Sequence, residues 1–396
     1  MSLIINLGLL ILGAYLSLYA LYSILLFFFN FFIPEKNLKK EKDKVRFVVI
    51  IPAHNEELFI KRILKSFLEQ NYSTNLFHVV VVADNCTDNT SKCITIDNID
   101  VLVRNSKTEI GKGYAIKYAL DNISHLSFDA LLIIDADSII DKDGLSALNQ
   151  HILQGKKILQ CNNAVANPED SWFTLLMNVA RTIGNEIMEP AKEKMGLSSH
   201  LMGNGMCFHR EIIDTYGWDS FSVGEDWEYF AKIINEGEKI SFARDVRVYH
   251  QESTSLGQAT PQRIRWASGR FDVLKKYGFG LLKKGVMQRS LLKIDASLPL
   301  LLPNPSLAIN LTILGLFFSF FFFIATDSMF WFMLYIILII IQVLIFISAI
   351  FYTKNKIKSF LSIFIAPVFL IWKMGIDILS FIGIGRKKWN RTKRHL

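Results

Sequence analysis

Residues 131–134 are four apolar residues in a row, and they run into Asp135 and, after one alanine, Asp137. Two carboxylates two positions apart repel each other when they face one site, unless a cation lies between them. Mg²⁺ and Mn²⁺ prefer oxygen ligands, and Mg²⁺ is usually held by one or two carboxylates together with phosphates of its ligand. The pair therefore points to a divalent ion carrying a diphosphate. Taken alone, Asp-x-Asp reads as readily as a solvated turn or a helix cap. Asp84, which closes a second apolar run at 79–83, strengthens the metal reading. Glu225 and Asp226 stand apart from that pair, at the start of a helical pattern where the macrodipole favours anions. A carboxylate there suits a general base that deprotonates an attacking hydroxyl; helix capping is the plainer alternative. Arg263 and Arg265 offer the guanidinium fork that phosphate accepts, or they pair with lipid head groups or surface acids. Trp266 stacks on a sugar ring or anchors at a membrane interface, where Trp concentrates. Lys112, in Gly-Lys-Gly, is placed to meet phosphate, although the spacing of a Walker loop is missing. His209 and His250 read as structural.

These residues need elements to hold them. The stretches 47–51, 79–83 and "ALLIIDAD" are short, continuously apolar and rich in β-branched residues. Helical patterns alternate with them: "LFIKRILKSFLEQ", a helix ahead of the short strand "DVLVR", and "GKGYAIKYALDNI". Such strands indicate a parallel sheet buried on both faces, and ligands of such sheets bind outside the carboxyl ends of the strands. His54, Asn55, Glu56, Asp84, Asp135 and Asp137 all fall at those ends. Further on, an amphipathic helix near 171–192 precedes the Gly-rich "LMGNGMCFHREII", a loop that leads into a short strand and helix.

The 396 residues are enough for two or three ordinary domains, and 51% of them are hydrophobic. The apolar residues are concentrated. Residues 1–34, 296–326 and 328–353 carry no charge, and about 20 apolar residues suffice to cross a bilayer. The first stretch lacks a basic leader and a cleavage site, so it reads as a permanent anchor rather than a signal peptide. "EKNLKKEKDKVR" follows it, and the positive-inside rule then puts the central domain in the cytoplasm. Expected spans lie near 306–325 and 329–352. The stretch 359–385 holds Pro367, Lys373 and Asp377 and ends in a basic tail, which favours a re-entrant or interfacial segment. Domain limits are expected at 1–34, 35–270, 271–298 (amphipathic interface helices) and 299–396. The net charge of +8 sits beside the apolar segments, where anionic lipid attracts Lys and Arg; nothing resembles a nucleic-acid module. The four cysteines lack metal-ligand spacing and read as reduced thiols.

The order "VVIIPAHNEE", "VVVVADNCTDNT", "GKGYA", "IIDADS", "GNG", "GEDWE", "QRIRW" resembles a family 2 glycosyltransferase of GT-A fold. Gln262-Arg263-Ile264-Arg265-Trp266 matches the QxxRW signature of its membrane-embedded branch, which includes the cellulose, chitin, hyaluronan and poly-N-acetylglucosamine synthases. The match runs from about 46 to 270. The resemblance implies an α/β GT-A (Rossmann-like) cytoplasmic domain flanked by transmembrane and interfacial helices, in the plasma membrane. It implies that Ala53, His54, Asn55, Glu56 and Asp84 bind the uridine of a UDP-sugar donor, with Lys112 near its base or phosphates. Asp135 and Asp137 would carry the metal, Mg²⁺ or Mn²⁺, and the diphosphate. Asp226, with Glu225 beside it, would be the base, and Gly203, Asn204 and Gly205 would line the path of a glycan or lipid-linked acceptor. Gln262, Arg263, Arg265 and Trp266 would hold the diphosphate and the acceptor's last sugar. The reaction implied is inverting and processive, building a β-linked polysaccharide; single addition to a lipid-linked acceptor is the rival, and a non-enzymatic membrane scaffold or transporter the more distant one. An oligomer or export partner is compatible with either enzyme. Two departures stand out: His54 replaces the family's usual tyrosine, and Gly-Glu-Asp replaces the commoner Thr-Glu-Asp.

Overall fold

The computed structural model of the protein describes residues 2–34, 41–96 and 99–383. Lys36, Lys39 and Lys40 and the basic tail beyond 383 lie outside them. The first charge-free run is a single helix, α1 (Ser2–Phe32). The sheet then begins with β1 (Phe47–Ala53), α2 (Ile60–Leu68), β2 (Phe77–Asp84), β3 (Ile99–Arg104), α3 (Lys112–Asn122) and β4 (Ala130–Ile133). These four strands are parallel and lie in the order β3-β2-β1-β4. Successive side chains of β1 explain its continuous apolarity. Val48 and Ile50 pack with Ala115, Ile116 and Ala119 of α3, while Phe47, Val49 and Ile51 pack with Ile60, Ile63 and Phe67 of α2. Each such buried side chain contributes about 1.5–3 kcal/mol.

Two expectations change here. Among the described residues no helix stands between β2 and β3: residues 85–93 are turns, because Asn, Asp and Thr side chains bond the local backbone instead. Asn55 Oδ1 accepts from the Thr87 and Asp88 amides (2.7 and 3.2 Å), and Asp88 Oδ1 accepts from the Thr90 amide (2.9 Å). The sheet is also mixed rather than parallel throughout. After β5 (Ser138–Ile140), α4 (Gly144–Leu153), β6 (Ile158–Val165), α5 (Trp172–Thr182) and α6 (Glu189–Lys194) comes β7 (Met206–His209), which runs antiparallel to both β4 and β6. The left-handed backbone at Gly203 (φ 78°) and Gly205 (φ 67°) turns it back. A Cβ on Gly205 would stand 2.8 Å from Cys161 Cβ, so no other residue fits.

The chain continues through α7 (Arg210–Tyr216), α8 (Glu225–Glu236), β8 (Ser241–His250) and α9 (Leu256–Val273), the helix that bears the Gln262–Trp266 motif. Then follow α10 (Phe279–Met287), α11 (Leu291–Leu301), α12 (Pro305–Thr326), α13 (Phe330–Ile350), α14 (Lys356–Leu361) and α15 (Ala366–Phe381). Among the described residues four helical stretches are long and apolar enough to cross a membrane: Leu3–Phe32, Pro305–Thr326, Phe330–Ile350 and Lys356–Phe381. α1, α12 and α13 share one apolar cluster, pinned by Tyr335 Oη donating to Leu9 O (3.0 Å) and Gln342 Nε2 donating to Thr312 Oγ1 (2.8 Å). α1 is also tied to the sheet domain. Tyr22 Oη donates to Asp295 Oδ1 (2.7 Å), whose other oxygen lies 3.1 Å from the buried Lys192 Nζ, and Asn30 Nδ2 donates to Glu186 O (3.0 Å).

Candidate active site

The carboxyl ends of β1, β2 and β4 open into one crevice of about 720 Å³, the position predicted for a sheet of this topology. Ala53, His54 and Glu56 line it after β1, Asp84 after β2, and Asp135 and Asp137 after β4. Lys112 at the start of α3, Gly203 and Asn204 before β7, Glu225 and Asp226 at the start of α8, and Gln262, Arg265 and Trp266 on α9 complete the wall. Three candidates stay out of it. Asn55 is spent on the 85–93 turn. Gly205 is the close-packed hinge against Cys161. Arg263 turns away from the crevice to Glu252, Nη2 to Oε2 2.6 Å, so its expected role on a phosphate is replaced by an ion pair.

At the β2 end, Asp84 is held by Arg104 (Nη1 to Oδ1 2.7 Å), and both side chains are nearly inaccessible. Burial raises the Asp84 pKa while Arg104 pulls it down; burial prevails. His54 Nδ1 lies 2.7 Å from the Asp84 carbonyl and therefore donates to it. At the β4 end, Asn204 is the scaffold. Its Oδ1 accepts from the Asp135 amide (3.0 Å) and its Nδ2 donates to Ser138 Oγ (2.9 Å), which fixes the loop that bears both aspartates. Lys112 Nζ donates to Asp135 Oδ1 and to the Gly203 carbonyl. Burial opposes its charge, but Asp135, Glu225 and Asp226 outweigh burial and raise its pKa.

The placement of the two acids of α8 depends on two glycines. Gly224 precedes the helix and meets Gly269 of α9 backbone to backbone: a Cβ on Gly269 would lie 2.8 Å from Gly224 N. That contact sets Asp226 opposite Arg265 and Trp266. Glu225 is buried and Asp226 half-buried. Burial raises both pKa values, and the charge of Asp226 raises that of Glu225 further, while Lys112 works the other way. Asp226 Oδ1 accepts from the Trp227 amide (2.8 Å), and a Cβ on Gly203 would sit 3.1 Å from its Oδ2. The Asp226 carboxylate thus opens onto the Gly203 loop. Trp266 is 37% exposed and meets the guanidinium groups of Arg263 (4.7 Å) and Arg181 (5.9 Å) in cation–π contact.

The donor groups on the Asp135 wall fit a divalent ion in type. Among the described residues no three His, Cys, Asp or Glu side chains converge as they stand, so an ion there would take the aspartates and need further oxygens from its ligand's phosphates. A nitrogen stands on the same wall: His250 pairs across the sheet with Ser138, next to Asp137. Its Nδ1 donates to Asn163 Oδ1 (2.9 Å), which leaves the lone pair on Nε2, an atom that is buried without a hydrogen bond and 3.7 Å from Glu252. The sequence reading took His250 as structural, and it passed over Arg181, His200, Phe221 and Trp227; all five line the crevice. Only the position of His250 at a strand end could have singled it out.

Comparison with known proteins places this geometry. The family model described as "Glycosyltransferase like family 2" matches residues 45–269. A probable glycosyltransferase of Bacillus subtilis, YdaM, is 25% identical over 256 residues, covering 61% of this chain and 60% of that protein. A poly-beta-1,6-N-acetyl-D-glucosamine synthase of Staphylococcus aureus is 22% identical over 241 residues, 59% of this chain and 57% of the synthase. The chain thus spans less than two thirds of the length of these relatives. Among solved structures, the mannosyltransferase PcManGT of Pyrobaculum calidifontis, in complex with GDP-Man and Mn²⁺, superimposes with a TM-score of 0.57 at 19% identity, covering 93% of this chain and 99% of that one.

Proposed function

From a chain that belongs to the glycosyltransferase-like family 2 and carries the GT-A fold, we propose a membrane-embedded, inverting transferase that uses a UDP-sugar to extend a β-linked glycan. The observation that carries this reading is the convergence, in one crevice, of carboxylates from three strand ends with the first turn of α8 and the Gln262–Trp266 face of α9. Ala53, His54, Glu56 and Asp84 bind the nucleoside. Asp135 and Asp137 would hold the divalent ion. Such an ion, when bound, offsets the charge of the diphosphate.

Asp226 takes the proton of the acceptor hydroxyl as its oxygen forms a bond to the anomeric carbon. The bond from that carbon to the diphosphate breaks on the opposite face, UDP carries away the electron pair, and the configuration inverts. Arg265 and Lys112 meet the leaving diphosphate, and Trp266 stacks on the acceptor's last sugar. N-acetylglucosamine is the first donor sugar to test, because the S. aureus relative is named for it.

The packing supports a place at the membrane, with the domain limits near 34, 270 and 298. α15 lies along α9, joined by Trp372 Nε1 to Thr260 Oγ1 (2.9 Å) and Ser380 Oγ to Ile264 O (3.2 Å), and it contains the ion pair of Lys373 and Asp377. An interfacial course for 366–381 suits both facts, with α1, α12 and α13 spanning the membrane and the sheet domain on the cytoplasmic side.

One observation favours the rival of single addition to a lipid-linked phosphate. Arg181 lines the crevice with its Nε free of hydrogen bonds, and the nearby Glu252 already serves Arg263. Purified protein offered UDP-N-acetylglucosamine, UDP-glucose, UDP-glucuronate and UDP-galactose in turn, with Mg²⁺ or Mn²⁺, decides between them. UDP release with a high-mass product that a β-glycosidase degrades supports the polymer reading. A product of lipid size supports single addition. UDP binding without release from any donor contradicts both and leaves a scaffold.

A further inference from the structure

His200 is the best-anchored imidazole in the crevice, and the reaction proposed above leaves it unused. Its Nδ1 lies 2.9 Å from Glu189 Oε1, and its ring stacks on Trp227 with centroids 4.8 Å apart and planes 15° from parallel. Glu189 is 5% exposed and is itself fixed, since Ser199 Oγ donates to its Oε2 at 2.6 Å. A carboxylate oxygen only accepts, so the imidazole is the donor in this contact. Nδ1 therefore carries the proton, and the lone pair of the neutral ring is on Nε2. That atom makes no hydrogen bond among the described residues, and the ring is on the crevice wall. The residue it stacks on, Trp227, adjoins Asp226, and Gly203, three residues along, packs against the Asp226 carboxylate. His200 and Asp226 thus line one crevice, linked through Trp227 and the Gly203 loop.

Resting on the transferase reading, we propose that His200 Nε2 accepts a hydrogen bond from a second hydroxyl of the acceptor sugar and so fixes which hydroxyl reaches Asp226. His200 is then a specificity-determining residue, and Glu189 a positioning residue that sets its tautomer and angle. The acceptor class follows: a sugar with a free hydroxyl close to the attacking one. A lone phosphate or a simple alcohol does not meet that requirement.

The test uses the full-length protein with UDP-N-acetylglucosamine as donor and short β-linked N-acetylglucosamine oligosaccharides as acceptors. His200→Ala should raise the acceptor KM about ten-fold, the cost of one lost hydrogen bond, while the UDP dissociation constant by calorimetry moves less than about two-fold. Linkage analysis should show more than one linkage in the product. His200→Gln keeps an acceptor oxygen near the Nε2 position and should recover most of the affinity and the single linkage. A merely structural role would not give that recovery. An unchanged acceptor KM and linkage in His200→Ala, with wild-type transfer intact, overturns this inference alone. Equal weakening of UDP and acceptor binding overturns it too, because the residue then supports the whole crevice. Wild-type protein that releases UDP from no donor overturns the transferase reading, and this inference with it.

Discussion

At the scale of single residues, the proposed chemistry rests on the two acids of α8. Burial raises the pKa of Asp226, and the base must be ionised to act. The rate therefore climbs with pH through a limb lying above the ordinary value of 3.8, and kcat/KM against pH should show it. The charge of Asp226 in turn raises Glu225, so Asp226→Asn should bring the Glu225 carboxyl to a lower pKa, followed by its NMR titration; an unchanged titration would mean the two carboxylates are not coupled. Asp137→Ala should weaken UDP binding in the presence of Mn²⁺ but leave metal-free binding unchanged, read by calorimetry with and without chelator. Equal loss in both conditions would remove Asp137 from the metal wall. Much of this site could be read from the sequence, because a carboxylate at the end of an apolar strand is visible as a pattern. The partner of a side chain is not. Arg263 looked equivalent to Arg265, yet a two-residue step along α9 turns to a different face, and only the fold shows Glu252 waiting for one of them. The Glu189–His200 pair joins a helix to a loop with no motif in either.

At the scale of elements, three continuous apolar runs and the short strand "DVLVR" predicted the parallel half of the sheet, since burial of β1, β2 and β4 on both faces leaves no polar alternation to confuse the reading. β7 was read as a strand, but its direction was set by left-handed glycines and a close approach to Cys161, which no periodicity records. The helix expected ahead of β3 gives way at 85–93 to turns, whose side chains outcompete it for the backbone. The close contact of Gly224 and Gly269 carries the sharpest prediction at this scale. Gly269→Ala places a methyl group against backbone atoms 2.8 Å away and must push α8 from α9. A small misplacement of a catalytic group costs up to about 10²-fold. We expect kcat to fall by about ten- to a hundred-fold with UDP affinity retained; full activity would show that the two helices need not touch. At the other end of the sheet, Arg104→Met strands the buried Asp84 and should cost about 3–5 kcal/mol of stability, measured by thermal or denaturant unfolding.

At the scale of the whole molecule, a sheet domain with a polar crevice is fastened to apolar helices by polar contacts that an independent soluble domain would not need. Tyr22, Asp295 and Lys192 meet where α1 passes α6 and α11. The protein should accordingly sediment with membranes and resist extraction at high pH, while a protease added from the cytoplasmic side should cleave loops of the sheet domain. Recovery in the soluble fraction would contradict the membrane reading and leave the crevice chemistry standing. The measurement that reaches the central claim most directly is sugar transfer by wild-type and Asp226→Asn protein side by side, with Mn²⁺ and the donor that releases UDP. The account predicts metal-dependent transfer by the wild type and a loss of about 10²–10⁴-fold in the variant, with UDP affinity unchanged. Transfer that survives in Asp226→Asn would contradict it, because the proton would then be leaving the acceptor by another route.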